Sequence, residues 1–416
     1  MLLTRKFKSV YVIYFFVLVL FLYQDAIGNI FSVFNLFDEL ESLVCLFVLF
    51  YRFAIIDKFS INKRYFKLIK YWFYFLLITF IGNIFSSYQS LPFVFFDIFT
   101  FSKFLINILI GYFLFSKKRI KEIVSVLLLI AKISTVLIFL FAVHDTFFTP
   151  FFPYLSDRYN TRSLMLFFSN QTYLAQISVI LVIIHFIYTK NKRNRNTYIF
   201  LCSLIAISTF RTKVLGWLVL ALFIIYFIYK FHITHFLIFS VFGGLGAIAI
   251  GWTFIDRYFI SGADSSVRFL ILAGGIALAN VYFPFGSGFG TFCSAASTIN
   301  MTPAYDRAAG IIKSRIKTIF NVSTMIKNGP VHDMFWAMLI GQSGYSGTLF
   351  FLFFLFAFYK LVGKMIKKYS KQWWGIILIF LYLVIASIGE TSFTSFYVID
   401  FGLLIGFILK DSEVKN

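Results

Sequence analysis

Long apolar runs alternate with short charged clusters along nearly the whole chain. As helices, most of these runs are long enough to approach or cross a hydrocarbon core of about 30 Å. Phe, Leu and Ile lie on every side of the predicted helices, so few of them have a face suited to water. The pattern predicts an all-α integral membrane protein. In the first half the spans read about Ser9–Tyr23, Ser42–Ile56, Tyr71–Ser87, Pro92–Phe115, Ile123–Val143 and Leu164–Tyr188. Positions 197–229 are almost continuously apolar. One straight helix of that length would measure roughly 50 Å, too long for a single crossing. The run is therefore expected to fold back at Phe210-Arg211-Thr212-Lys213. Ile233–Phe254, Met334–Tyr359, Trp374–Ile388 and Thr391–Leu409 bring the expected total to about twelve spans.

Composition agrees with this reading: 60% of the 416 residues are hydrophobic and 13% charged, against about 25% charged in soluble domains. A formal net charge of +21 raises nucleic acid as a partner, but the basic residues sit between the apolar runs. Clusters at 117–121, 190–195 and 360–371 are the kind that marks cytoplasmic loops. The loop holding Asp25, Asp38, Glu39 and Glu41 has no Lys or Arg and is expected outside. Parity then places both termini in the cytoplasm and a long segment, about 255–333, outside the cell between spans nine and ten. Arg5, Lys6 and Lys8 precede the first run with no small-residue cleavage pattern after it, so a retained first helix is expected. No linker or repeat divides residues 1–416, which are expected to form a single polytopic domain. Cys45, Cys202 and Cys293 show no spacing suited to a metal or redox centre. Within the long loop, Val267–Val281 is expected to lie on or dip into the outer membrane surface.

External cations oppose the orienting bias, which singles out Arg158, Arg162, Arg211 and Arg268. A guanidinium offers a planar fork of donors matched to phosphate oxygens. The bland alternative is that each side chain snorkels toward lipid headgroups. His332 and Asp333 stand where the long loop returns to the bilayer, and an imidazole or carboxylate there could take a proton from a sugar hydroxyl. Phe283-Pro284-Phe285-Gly286-Ser287-Gly288-Phe289-Gly290-Thr291 lacks the strand and helix context of a nucleotide loop. A tight turn at the membrane surface is expected instead, its backbone close to a headgroup. Asp97, Lys103 and Lys132 lie inside spans, where Asp97 is expected to neutralise one of the lysines.

Four stretches resemble a known family, the polytopic oligosaccharide repeat-unit polymerases of bacterial capsule, exopolysaccharide and O-antigen assembly, related to the O-antigen ligases. They are Tyr159-Asn160-Thr161-Arg162-Ser163 with Phe167 to Ala175, Ser208-Thr209-Phe210-Arg211, Ser266-Val267-Arg268 followed by the Gly-rich segment to Phe292, and His332-Asp333 with Gly341 to Gly347. The resemblance implies a metal-independent glycosyltransferase of the bacterial plasma membrane, without a cofactor. Its substrate would be an undecaprenyl-pyrophosphate-linked oligosaccharide, with membrane lipid, a chain-length regulator protein and a flippase as partners. It further implies that Arg158, Arg162, Arg211 and Arg268 hold pyrophosphate and that His332 and Asp333 carry the proton transfer. Asp333 departs from the family, where Asn is commoner, and leaves open which of the two is the base. Transfer to another acceptor by a ligase shares this chemistry. A lipid-linked oligosaccharide flippase is a further alternative, although flippases usually show repeat symmetry.

Overall fold

The computed structural model describes residues 9–56, 63–148, 150–152, 155–158, 161–229, 267–315, 334–368 and 370–412. Helices dominate them. The chain enters through α1 (Ser9–Leu22) and bends by 81° into α2 (Gln24–Ile30). A 3₁₀ turn leads to α3 (Phe37–Tyr51), followed by α4 (Lys63–Ser86), α5 (Leu91–Phe113) and α6 (Lys117–Phe147). Next come α7 (Gln171–Tyr188), α8 (Lys192–Ser208) and α9 (Thr212–Tyr229). After the long segment that lies partly outside the described residues come α10 (Val267–Val281), α11 (Ala295–Ile299) and α12 (Pro303–Arg315). The last three helices are α13 (Phe335–Met365), α14 (Lys371–Ser387) and α15 (Val398–Asp411).

Five of these helices are long and apolar enough to cross a membrane, and six if the bent α1–α2 pair counts as one span. The five are α4, α5, α6, α7 and α13; α9, α10 and α14 are shorter apolar helices. Two expected spans start later than their hydropathy suggests. Leu164–Asn170 is not helical because Leu166 adopts a left-handed φ of 53° and Asn170 caps α7 by accepting from the Thr172 amide at 3.0 Å. Thr391–Tyr397 forms turns in which the Thr391 carbonyl accepts from the amides of Thr394 and Ser395. Ser and Thr offer the backbone such local alternatives to helix. A short antiparallel hairpin, β1 (Leu155–Arg158) and β2 (Thr161–Ser163), lies between α6 and α7.

Small residues set a close helix crossing. α15 lies along α5, and Gly402-x-x-x-Gly406 faces Gly111 and the backbone of Phe104 and Ile108. A Cβ on Gly406 would stand 2.6 Å from the Ile108 carbonyl oxygen, so backbone contact replaces side-chain contact there, as in small-xxx-small membrane packing. Val267–Val281, expected to lie on or dip into the outer membrane surface, forms a helix packed against its neighbours. α10 packs along α13 and buries Leu270, Ile271 and Leu278, because Gly275 lets its backbone meet Ala337 directly.

Candidate functional site

The fold-back expected at 210–213 is present and positions the cations. α8 ends as Thr209 Oγ1 donates to the Ala206 carbonyl at 2.7 Å, and Phe210 turns the chain with a φ of 48°. α9 restarts when the amides of Val214 and Leu215 donate to the Arg211 carbonyl. Arg211 is thus held in the turn and Lys213 in the first turn of α9, while Arg268 is the second residue of α10. Lys213 and Arg268 both reach the turn that follows α14, at Gly389, and Lys213 also reaches Glu390.

Lys213 Nζ donates to Glu390 Oε1 at 2.5 Å and to the Gly389 carbonyl at 2.8 Å. A Cβ placed on Gly389 would lie 3.4 Å from both Arg268 Nε and Lys213 Nζ, so the bare glycine gives the two cations room to approach the same backbone. Arg211 donates a guanidinium hydrogen bond to Asn170 Oδ1, the atom that caps α7. The charges of Arg268 and Arg211 both bear on Lys213. Glu390 Oε2 accepts from Gln176 Nε2 and from the Tyr397 hydroxyl, each at 3.3 Å. The Lys213 and Glu390 side chains are only 15% and 19% exposed, which keeps water from screening the group.

Of the residues expected to hold pyrophosphate, Arg211 and Arg268 are therefore brought together. Arg162 is exposed on β2, beside Ser163, whose hydroxyl donates to the Thr209 carbonyl at 2.7 Å. The hairpin is thus tied to the turn carrying Arg211. Arg158 ends β1, and its side chain lies outside the described residues. His332 and Asp333 also lie outside them. The chain is described again from Met334, and the Phe335 amide donates to the Glu390 carbonyl at 3.3 Å, which joins the start of α13 to the cationic turn.

Two of the stretches that carry the resemblance, the Gly-rich segment and Gly341 to Gly347, meet in space as scaffold. The amides of Ser287 and Gly288 donate to the carbonyls of Gly341 and Gln342 at 3.0 and 2.8 Å. Asn83 closes the loop from the other side, accepting from the Phe289 amide at 2.7 Å and donating to its carbonyl at 2.9 Å. Residues 286–294 are all buried. The close backbone approach expected at a headgroup is made to protein instead, with a Cβ on Gly288 only 2.4 Å from the Asn83 backbone. Asp97 likewise does not neutralise a lysine: it accepts from the Gly290 amide at 2.7 Å. Lys103 turns to Asp38 and Glu39, at 2.5 and 2.9 Å.

Sequence reading missed the roles of Lys213, Gln176, Asn170 and Tyr397. Lys213 carried a usable signal, a second cation in the turn that already held Arg211. The other three are ordinary polar residues at helix ends or in a buried helix, which only the fold assigns to Glu390 or Arg211. Among the described residues, no group of three or more His, Cys, Asp or Glu side chains could hold a metal ion. Comparison with known proteins finds no family model that matches this chain and no similar curated protein. Chemically, the arrangement suits an oxyanion: two guanidinium forks and one ammonium, anchored by a helix cap and a carboxylate.

Proposed function

We propose that the chain is a glycosyltransferase that polymerises undecaprenyl-pyrophosphate-linked oligosaccharide repeat units at the outer face of a bacterial plasma membrane. The observation that carries this reading is the approach of Lys213 and Arg268 to Gly389, with Lys213 bonded to Glu390 and the charge of Arg211 also bearing on Lys213. A pyrophosphate leaving group develops negative charge as its bond to the anomeric carbon breaks, and preorganised cations stabilise that charge. A hydroxyl of the incoming repeat unit supplies the oxygen for the new glycosidic bond. Its proton passes to His332 or Asp333, which immediately precede the helix start bonded to Glu390. Arg162 and Arg158, on the hairpin beside the turn, extend the contact to the lipid pyrophosphate.

The same reading takes about twelve spans with both termini in the cytoplasm and segment 255–333 outside. This topology puts Arg211, Arg268 and the start of α13 on one side of the membrane. Hydrophobic helices and basic inner clusters support it through the positive-inside rule.

The test is incubation of the purified protein with a defined undecaprenyl-pyrophosphate-linked repeat unit. A ladder of products of increasing length is expected. A single transfer to a different added acceptor would make it a ligase, and transbilayer movement of intact substrate without new glycosidic bonds would overturn the enzyme reading.

A further inference from the structure

A second polar feature flanks the cationic cluster and differs from it in charge. A cavity of about 280 Å³ opens between α2, α3, α5, α7 and the turn at 394–396. Acidic groups line it: Asp25, Asp38 and Glu39 outnumber its cation, Lys103. Phe96, Tyr173 and Phe396 supply apolar wall, with Tyr173 and Phe396 meeting edge to face at 4.8 Å between ring centres. The volume is near the lower end of small-molecule sites, about 300 Å³, which suits one ring better than a chain.

Gln24 shows an unused contact in this wall. The residue is 6% exposed, and its amide N–H groups donate to the Phe34 carbonyl and to Asp38 Oδ1. Its own carbonyl oxygen takes no protein donor, although Gln24 lines the cavity. That amide oxygen is therefore available to accept from water or from a ligand in the cavity.

The cavity and the cluster share their supports. Tyr173 lies three residues after Asn170, the partner of Arg211, and three before Gln176, the partner of Glu390. Thr394 and Phe396 follow Glu390 in the same turn. A substrate whose phosphates meet Arg211 and Arg268 therefore has this cavity as a neighbour.

We propose that the cavity is a subsite for one pyranose ring that is neutral or carries an amino group, and that it excludes uronic acids. The assignment rests on reading the neighbouring cluster as a lipid-pyrophosphate site, which makes a sugar the group to be placed there. Carboxylates and the Gln24 carbonyl accept from ring hydroxyls, Lys103 donates, and the aromatic walls cover the apolar ring face. A carboxylate on the sugar would face Asp25, Asp38 and Glu39 and be repelled, whereas an ammonium would be attracted.

Saturation-transfer NMR on the full chain in lipid nanodiscs tests this with three probes: methyl glucoside, glucosamine and glucuronate. Saturation of the first two is expected, with glucuronate at least about tenfold weaker than glucosamine. Ala295→Trp places a large ring at the exposed rim of the cavity and should abolish the signal of all three. Asp25→Asn removes one acidic group and should narrow the ratio of glucosamine to glucuronate. Glucuronate binding as well as glucosamine, an unchanged signal in Ala295→Trp, or no saturation in the wild type would each overturn the subsite. Thermal stabilisation by inorganic pyrophosphate, read on the same samples, reports on the cationic cluster alone. Failure there with sugar binding intact removes the pyrophosphate reading, whereas the reverse result removes only the sugar subsite.

Discussion

Glu390→Gln and Lys213→Met remove opposite halves of one ion pair, and the surroundings make their effects unequal. Lys213 Nζ and Arg268 Nε each stand 3.4 Å from the same point above Gly389, so they are no more than about 7 Å apart. At an effective dielectric constant near 20, two like charges at that separation repel by roughly 2.4 kcal/mol. Glu390→Gln loses the 2.5 Å pair and keeps this repulsion, with the charge of Arg211 adding to it. Lys213→Met loses the pair and the repulsion together. The glutamate variant is therefore expected to be the less stable by about 2 kcal/mol. The assay is thermal unfolding of each full-length variant in the same detergent, with and without inorganic pyrophosphate. Pyrophosphate supplies the missing negative charge, so it should raise the midpoint of Glu390→Gln more than that of the wild type. Equal destabilisation of the two variants, or no greater pyrophosphate shift for Glu390→Gln, would refute the idea that the carboxylate holds mutually repelling cations at an anion site.

Four further outcomes are expected. Arg211→Lys and Arg268→Lys keep the charge but lose the planar fork, and each should weaken pyrophosphate binding by about tenfold in a calorimetric titration. Gly288→Ala combines a φ of 92° with a Cβ 2.4 Å from the Asn83 backbone, which should cost about 2 kcal/mol or more and reduce the monodisperse yield on gel filtration. Ile299 is 67% exposed, so Ile299→Cys should react with a membrane-impermeant thiol reagent in intact cells, whereas protection until lysis would invert the proposed topology; neighbouring Ser297 is fully buried and would be a silent probe. His332→Ala should lower turnover by about 10² to 10⁴ without loss of lipid-substrate binding, and wild-type turnover in that variant beside an inactive Asp333→Asn would assign the base to Asp333.

The helical membrane character was plain from hydropathy, because apolar runs bounded by charge have few other solutions. The fold-back at 210–213 was legible for the same reason: a run too long for one crossing must break, and Phe210 makes the break with a left-handed φ. Helix starts were less legible, since Thr391-Ser392-Phe393-Thr394-Ser395 is as apolar on average as a helix end but spends its hydroxyls and amides in local turns. Arg211 and Arg268 could be picked out because external cations oppose the charge bias. The group they form with Lys213 and Glu390 depends on contacts across 55 positions, from Lys213 to Arg268, and 177, from Lys213 to Glu390, which no local pattern reports. The Gly-rich segment was recognised as a close-approach element, but its partner was not, because a glycine shows that backbone comes near without showing whose.

α5 explains how two sites of opposite charge can be held beside one another without a flexible connection. Phe96, Thr100 and Lys103 recur at four and three residues, so they share one face of the helix, and that face lines the acidic cavity. Asp97, one position on, points to the Gly-rich loop and accepts from the Gly290 amide. That loop is bonded to Gly341 and Gln342 of α13, and α13 starts with an amide bonded to Glu390 in the cationic turn. The route from cavity to cluster thus runs through buried helix and backbone hydrogen bonds. Fixing the two parts of a substrate this way removes orientational freedom before reaction, a contribution to rate that grows with the stiffness of the support. It also makes Asp97 a positioning residue. Its carboxylate is spent on a backbone amide, so its loss would loosen the separation of the two sites without altering the charge of either.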